Sequence, residues 1–326
     1  MADLVKKEKI GVVLLNLGGP ERLEDVEPFL FNLFSDRKII RLGPWFMQKF
    51  IARRIAKKRA PISREAYRLI GGGSPLAKTT TAQGAALQEM LATDGDFTVD
   101  MVMRYWPPYA EETLQKLAAS GINRLVALTL YPHYSIATTG SSVDDLREAA
   151  ARSVNDFEIA VIEAWADQAD YIGCLAKNIQ AGLAQFGDEP VQLVYSAHSL
   201  PVKFIDEGDP YLEHMDLTIK GIEALTGVTG CLCFQSRSGP VEWLAPSTPD
   251  MMEKLAAEGA KNLLMVPISF VSDHVETLYE IDIQYRELAE GLGMRLERVE
   301  SLNLQPEFIR GLKELVLATC CDKGWL

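Results

Sequence analysis

The sequence predicts an α/β protein with two similar doubly wound lobes, each a parallel sheet flanked by helices, that face each other across a cleft. Its apolar, β-rich runs are continuous rather than alternating, which is typical of parallel strands buried on both faces. Segments with helical spacing lie between these runs. An internal repeat supports two copies of one unit, because KLAASGINRLVALTL (116–130) matches KLAAEGAKNLLMVPI (254–268) without a gap.

Five buried strands are predicted in chain order: GVVLLNLGGP (11–20), RLVALTLYP (124–132), EIAVIEAW (158–165), VQLVYSAHSLP (191–201) and NLLMVPISF (262–270). The helices AEETLQKLAASG (110–121) and PDMMEKLAAEG (249–259) each end at a glycine, as helix C-caps often do. We predict a first lobe over 1–165 and a second over 166–305. A C-terminal helix follows over 306–326, and one option is that it packs back on the first lobe. Ligands of such folds bind at the carboxyl ends of the strands, where the cleft should lie.

Composition restricts the class of protein. A length of 326 residues suits two domains, and the net charge of −12 argues against a nucleic-acid partner. No apolar run approaches the ~20 residues that span a bilayer, and MADLVKKEKI lacks the apolar core of a signal peptide. A cytoplasmic protein is therefore expected, and no particular oligomeric state is predicted.

The cysteine pattern argues against disulfides and against a metal cluster. The count is odd and no C-x-x-C pair occurs among Cys174, Cys231, Cys233, Cys320 and Cys321. We expect incidental thiols, with an iron–sulfur cluster as the disfavoured alternative.

Two segments carry candidate chemistry. His198 follows the predicted strand VQLVY, and its ordinary pKa near ~6.5 suits a proton acceptor. Asp273, His274 and Glu276 follow the strand NLLMVPISF. If a helix begins near His274, Glu276 and Glu280 lie on one face and repel each other unless they are solvated, protonated or facing a cation. The alternative is a solvated helix start, where the helix dipole stabilises acidic side chains near the N-terminus.

These residues suit three chemistries, and the pattern does not choose among them. His198 with His274 and Glu276 could hold Zn²⁺, although the H-E-x-x-H spacing is absent. Ser196 or Ser199 could be an acyl-transfer nucleophile, although G-x-S-x-G is missing. The third chemistry is proton abstraction coupled to delivery of a metal ion.

Three further segments stand out. LGGP (17–20) and IGGGSP (70–75) fit neither nucleotide-binding pattern, so backbone turns and close chain approach are predicted there. Residues 45–68 are strongly basic, and their aromatic and aliphatic side chains recur every four residues. This is either a solvated helix whose apolar face lies on the core or a surface that contacts anionic lipid.

Seven motifs resemble the ferrochelatases, in the same order along nearly the whole chain: NLGGP, YRLIGGGSPL, YPHYSIATTGSS, SAHSLP, GDPY, QSRSGPVEWLAP and PISFVSDHVETLYEID. The resemblance implies two Rossmann-like lobes around a porphyrin cleft. It also implies a lyase of haem biosynthesis that inserts Fe²⁺ with release of two protons and requires no cofactor.

The resemblance also implies site residues. His198 and Glu276 are the expected catalytic residues and metal contacts, with Glu280, His274 and Asp273 as further metal candidates. The expected porphyrin-binding residues are Arg104, Tyr105, Tyr67, Arg68, Ser74, Gln235, Ser236 and Trp243.

Residues of about 40–75 resemble the mobile lip over the active-site mouth. Lip residues expected to touch an anionic membrane are Trp45, Phe46, Phe50, Arg53, Arg54, Lys57 and Lys58. Such contact would be peripheral, on the inner face of the membrane. Ile136 stands where animal members carry a cluster-ligating cysteine, which argues against a [2Fe–2S] cluster.

NLGGP and DRKII resemble members that act on protoporphyrin IX more than those that act on coproporphyrin. A cobalt chelatase and a non-catalytic tetrapyrrole carrier are the alternatives. The paired Glu276 and Glu280 argue against a carrier, which has little use for two carboxylates at a porphyrin site.

Overall fold

The computed structural model describes residues 9–237, 239 and 241–326. The N-terminal eight residues, where no signal peptide is expected, and Ser238 and Pro240 of the QSRSGP motif lie outside it. The strands of the described part are β1 (Lys9–Asn16), β2 (Asp96–Met103), β3 (Arg124–Thr129), β4 (Glu158–Ile162), β5 (Gln192–His198), β6 (Gly230–Gln235), β7 (Asn262–Pro267) and β8 (Arg295–Arg298).

The strands form two parallel four-stranded sheets with equivalent topology. Their orders are β2-β1-β3-β4 and β6-β5-β7-β8, so the second repeats the first with every number advanced by four. The predicted pair of similar α/β lobes is confirmed. Strands β2, β6 and β8 were not predicted; each is an edge strand without the continuous burial of a central one, and of the four edge strands only β4 was predicted.

Helices cover the faces of both sheets. They are α1 (Val26–Ser35), α2 (Gln48–Leu69), α3 (Leu76–Leu91), α4 (Ala110–Ala119), α5 (Ser141–Arg152), α6 (Ala169–Ala184), α7 (Val202–Asp206), α8 (Tyr211–Thr226), α9 (Thr248–Ala257), α10 (Arg286–Gly291) and α11 (Pro306–Asp322). Short 3₁₀-helices precede α1 at Leu23–Asp25 and α2 at Trp45–Met47. None of the described helices is long and apolar enough to cross a bilayer.

A π-helix follows the third strand of each lobe, at Ile136–Gly140 and at Glu276–Tyr285. The ungapped repeat aligns these two segments, since Thr139 of the first corresponds to Thr277 of the second. π-Helices are rare and occur often at functional sites.

Helix α11 contacts both lobes. It packs against α3 and α6, and Lys313 pairs with Asp94 while Arg310 pairs with Asp170. The C-terminal helix therefore bridges the lobes. The lobe boundary near residue 165 stays a prediction.

The two glycine-rich segments pack on each other, as their sequences predict. The Ser74 amide donates to the Pro20 carbonyl at 2.7 Å. A Cβ on Gly73 would lie 2.0 Å from the carbonyl oxygen of Glu21. Glycine is required there by close approach of two backbones.

Helix α2 turns an alanine face, not an aromatic one, towards the core. Ala52, Ala56 and Ala60 recur every four residues and are buried. Phe46 and Phe50 remain 68% and 59% exposed. The aromatic part of the predicted apolar face is thus on the surface, whereas Ile55 packs against the core.

Gly73→Ala should destabilise the protein by about 1–3 kcal/mol, the usual effect of overpacking. Alanine suits the backbone conformation of Gly73, so the loss would come from the clash with Glu21. Urea unfolding measures this change. Gly173→Ala is the control, because no atom lies within 4 Å of its added Cβ and it stands inside α6, where alanine is favoured. Equal stabilities of the two variants would contradict the prediction.

Candidate active site at the carboxyl end of the second sheet

The carboxyl ends of three neighbouring strands bring the predicted residues together. Strand β5 ends at His198 and lies between β6, which ends at Gln235, and β7. After β7 a short loop leads into the π-helix that begins at Glu276. This edge is where ligands of parallel sheets bind.

His198 and Glu276 are joined by a hydrogen bond. Nδ1 of His198 lies 2.9 Å from Oε2 of Glu276, so Nδ1–H donates and Nε2 is left for another partner. The His198 side chain is 34% exposed, whereas Glu276 is largely buried. The backbone of His198 is held as well, because its amide donates to Ser269 Oγ and its carbonyl accepts from Tyr211 Oη.

His274 presents an unprotonated nitrogen to the same carboxylate. Its Nδ1–H donates to the Ser272 carbonyl at 3.0 Å, which fixes the tautomer. Its Nε2 lies 4.0 Å from Glu276 Oε1, and it is buried with no hydrogen-bond partner among the described residues. A buried nitrogen lone pair of this kind suits a proton acceptor or a metal ligand.

Phe270 lies between the two histidines, and sequence analysis did not single it out. Its ring centroid is 4.1 Å from that of His274 and 6.2 Å from that of His198. The sequence feature that could have identified Phe270 is its position at the end of PISF, shortly after the buried strand β7.

Glu280 is held by residues at the end of β6. Ser236 Oγ donates to Glu280 Oε2 at 2.7 Å, and Gln235 Nε2 donates to that oxygen and to the Glu276 carbonyl. Ser236 has a φ of 64°, a left-handed conformation that costs energy for a residue with a side chain. Gln235 and Ser236, predicted to bind porphyrin, thus support the acidic residues directly.

The pKa values of the four titratable groups are shifted in different directions. Burial acts to raise the pKa of Glu276, but His198 lowers it well below its usual range. Burial acts to lower the pKa of His198, but Glu276 and Glu280 raise it overall. Burial lowers the pKa of His274, with help from the charge of His198. Burial and the Glu276 charge raise the pKa of Glu280 to about 7. Separated pKa values of this kind are typical of sites that move protons.

Helical structure begins at Val275, close to the predicted start near His274. From Glu276 onward it is a π-helix, which was not predicted. Glu276 and Glu280 are both partly buried, and Gln235 Nε2 donates to the Glu276 carbonyl and to Glu280 Oε2. The solvated helix start, the alternative interpretation, does not describe these two residues.

Asp273 belongs to a different network, although it was a metal candidate. Its carboxylate accepts hydrogen bonds from Thr277, Arg298, Ser301 and Asn303. We therefore leave Asp273 out of the group that faces His198.

Arg104 and Tyr105 also form a separate cluster, at the carboxyl end of the first sheet. Arg104 pairs with Asp36 and Asp145, and Tyr105 Oη donates to Asp36. A cavity of about 530 Å³ lies against this cluster. Their strongest donors are thus occupied by carboxylates of the first lobe.

The other predicted porphyrin contacts are spread along the lip and its neighbours. Tyr67, at the end of α2, is buried in a cluster against which Val275, the residue before Glu276, packs. Arg68 is exposed and pairs with Glu65. Ser74 Oγ accepts from the Leu76 amide, and Trp243 forms a β-bridge with Pro201.

Glu276→Gln should lower the pKa of His198, because the charge that opposes the effect of burial is removed. A histidine whose pKa is higher in the folded than in the unfolded protein stabilises the fold. This stabilisation is complete below the pKa in the unfolded chain, about 6.5, and is lost as the pH rises through the pKa in the folded protein. The variant should therefore lose stability mainly on the acid side. Titration of the His198 ring by NMR measures the shift, and the exposed Glu258→Gln is the control. An unchanged His198 titration would refute the electrostatic assignment.

Comparison with known proteins identifies the family of this chain. The family model "Ferrochelatase" matches residues 9–320. A ferrochelatase of Desulfotalea psychrophila is 58% identical over 94% of this chain and 96% of its own, and one of Geotalea uraniireducens is 53% identical over 96% and 98%. SirB from Bacillus subtilis, solved with Fe³⁺, shares the fold with a TM-score of 0.56 at 10% identity, over 97% of both chains. The chain belongs to the ferrochelatase family.

Proposed function

We propose that the protein inserts Fe²⁺ into protoporphyrin IX, with release of two protons, as the last step of haem biosynthesis. The observation that carries this is the bonded pair of His198 and Glu276, with the acidic Glu280 one helical turn away. Ferrochelatase activity is a lyase reaction, in which a porphyrin exchanges two N–H protons for a metal ion. Such a site needs a proton acceptor and carboxylates that attract a dication.

We assign His198 and Glu276 as the catalytic residues and metal contacts. The Nε2 of His198 is free to take a pyrrole proton, because Nδ1–H is bonded to Glu276. The Glu276 carboxylate stabilises the imidazolium that forms. The neutral Nε2 of His274 and the carboxylate of Glu280 are further contacts for metal or protons.

Tyr67, Ser74, Trp243 and Arg68 are the proposed porphyrin contacts at the mouth. Tyr67 has the most direct support, since it is buried in the cluster that Val275, next to Glu276, packs against. Arg104 and Tyr105 are proposed to shape the cleft from behind, because Asp36 and Asp145 occupy their donors. A porphyrin held out of plane between such contacts would expose its nitrogen lone pairs.

No resident cofactor enters the proposal, since Fe²⁺ is a substrate. The five cysteines are free thiols. Burial raises the pKa of Cys174, Cys233 and Cys320 to about 11, so these three are protonated at neutral pH.

We also propose that the lip lies on an anionic membrane at its cytoplasmic face. Trp45, Phe46 and Phe50 are exposed at one end of α2. Arg53, Arg54, Lys57 and Lys58 follow on the same helix and are exposed as well. Surface aromatic and basic side chains in one segment favour an interface between water and anionic lipid. An apolar porphyrin could then pass between membrane and cleft.

His198→Ala should abolish insertion while leaving porphyrin binding largely intact, because within the described residues the His198 side chain is hydrogen-bonded to Glu276 and not to the lip. Anaerobic assays with protoporphyrin and Fe²⁺, followed by absorption, measure insertion, and quenching of porphyrin fluorescence measures binding. Competition with Co²⁺ tests the metal preference. A wild-type protein no faster than buffer would refute the function. Joint loss of binding and turnover in the variant would make His198 structural.

Neutralising Arg53, Arg54, Lys57 and Lys58 to Gln should weaken co-sedimentation with anionic vesicles, by about 1 kcal/mol for each cation near the surface. Neutral vesicles should bind both forms equally. The control neutralises Lys177, Lys220, Lys254 and Arg310, four exposed cations elsewhere, and changes the net charge equally. Equal effects of the two variants would remove the lip from the proposal.

A further inference from the structure

Arg298, at the end of β8, is a largely buried cation that contacts two carboxylates beside the active site. Its side chain is 12% exposed. Nε and Nη2 donate to the two oxygens of Asp282 at 2.8 and 2.9 Å. Nη1 donates to Asp273 Oδ1 at 3.1 Å. The paired contact with Asp282 is the planar fork geometry that lysine does not reproduce.

The two carboxylates bracket the catalytic segment. Asp273 precedes the π-helix and Asp282 lies within it, so Glu276 and Glu280 stand between them. Asp273 also accepts from Thr277 Oγ1, and that hydroxyl accepts from the His274 amide. One guanidinium thus holds the start of the segment and its middle.

The held segment also rests on the first lobe. Gln83 of α3 donates from Nε2 to Ser272 Oγ and to the Asn303 carbonyl. Asn303 donates in turn to Asp273 Oδ2. The loop before the π-helix is therefore fixed on two sides, and Arg298 supplies the cationic contact.

Removing this cation would release the segment. Asp273 and Asp282, whose side chains are 25% and 27% exposed, would lose their shared positive partner, and a partly buried carboxylate without a cation is costly. Glu276 and Glu280 already repel each other in the same stretch of chain. Relaxation of the segment would move Glu276 away from His198 Nδ1.

We propose that Arg298 is a positioning residue for metal insertion, which acts by holding Asp273 and Asp282 so that Glu276 meets His198. The kinetic part of this inference rests on the proposed function. The structural part concerns only the bond between His198 and Glu276.

The test compares Arg298→Ala, Arg298→Lys and Asp282→Asn with Arg295→Ala. Arg295 is the matched control, because it lies on the same strand and pairs with Glu297 at the surface. Proton NMR of the porphyrin-free protein follows the downfield Nδ1–H signal of His198, assigned by its absence from His198→Ala. Initial rates at varied Fe²⁺ and varied porphyrin give kcat and each KM.

Arg298→Ala should lose the His198 signal. It should also change one kinetic constant by about 10–100-fold, either as a higher KM for Fe²⁺ or as a lower kcat, which is the usual effect of removing a residue that orients a metal ligand. The porphyrin KM should stay unchanged, Arg298→Lys should recover part of the loss, and Arg295→Ala should match wild type. A folded Arg298→Ala protein with the wild-type signal and constants would overturn the proposal, as would equal losses in Arg295→Ala.

If Arg298→Ala does not fold, Asp282→Asn decides, since it keeps the shape of the side chain and removes its charge. A wild-type His198 signal in a folded Asp282→Asn protein would overturn the proposal. If wild type shows the signal but inserts no metal, the proposed function fails, and the signals of the variants still decide the role of Arg298.

Discussion

The contact between His198 and Glu276 constrains the architecture around it, because a buried carboxylate is tolerated only when it is paired and hydrogen-bonded. His198 is held through its backbone by Ser269 and Tyr211. Glu276 is held from the side of β6, where Gln235 donates to its carbonyl. The strained φ of Ser236 fits the same requirement, since its hydroxyl reaches Glu280 from there. Local strain is accepted where the surrounding contacts impose it.

Duplication supplied two equivalent places for this chemistry, and only one carries it. The internal repeat aligns Thr129 of β3 with Pro267 of β7. Thr129 pairs with Leu15 of β1, and Pro267 pairs with Ser196 of β5, so Leu15 and Ser196 are equivalent. His198 therefore has Leu17 as its counterpart, and by the ungapped repeat Glu276 has Thr138. The first π-helix serves the contact between lobes instead. Asp209 of the second lobe accepts hydrogen bonds from Ser135 Oγ and the Ile136 amide. Tyr211, two residues after Asp209, donates from its hydroxyl to the His198 carbonyl. The first lobe thus buttresses the site of the second.

The features that could be predicted are those that a local sequence pattern determines, such as a continuous apolar run for a central strand. The central strands β1, β3, β5 and β7 show continuous apolar runs, so His198 and Glu276 could be placed after neighbouring strands. Of the four edge strands, β2, β6 and β8 lack that run and were missed, whereas β4 was predicted from EIAVIEAW. The direction of Asp273 was not predictable, because it depends on Arg298, 25 residues later. The π-helix was missed for a related reason, since nothing in SDHVETLYEID distinguishes it from an α-helix start.

Under the proposed function, the raised pKa of Glu280 links metal arrival to proton release. The pKa is raised by burial and by the negative charge of Glu276. A dication that approaches Glu276 offsets that charge, so the pKa of Glu280 falls and its proton leaves. This is the general linkage between metal binding and deprotonation of the groups that receive the metal. As the metal moves on into the porphyrin, the charge of Glu276 is again uncompensated, and Glu280 regains its affinity for a proton. The same residue then suits the removal of a proton that His198 has taken from the substrate.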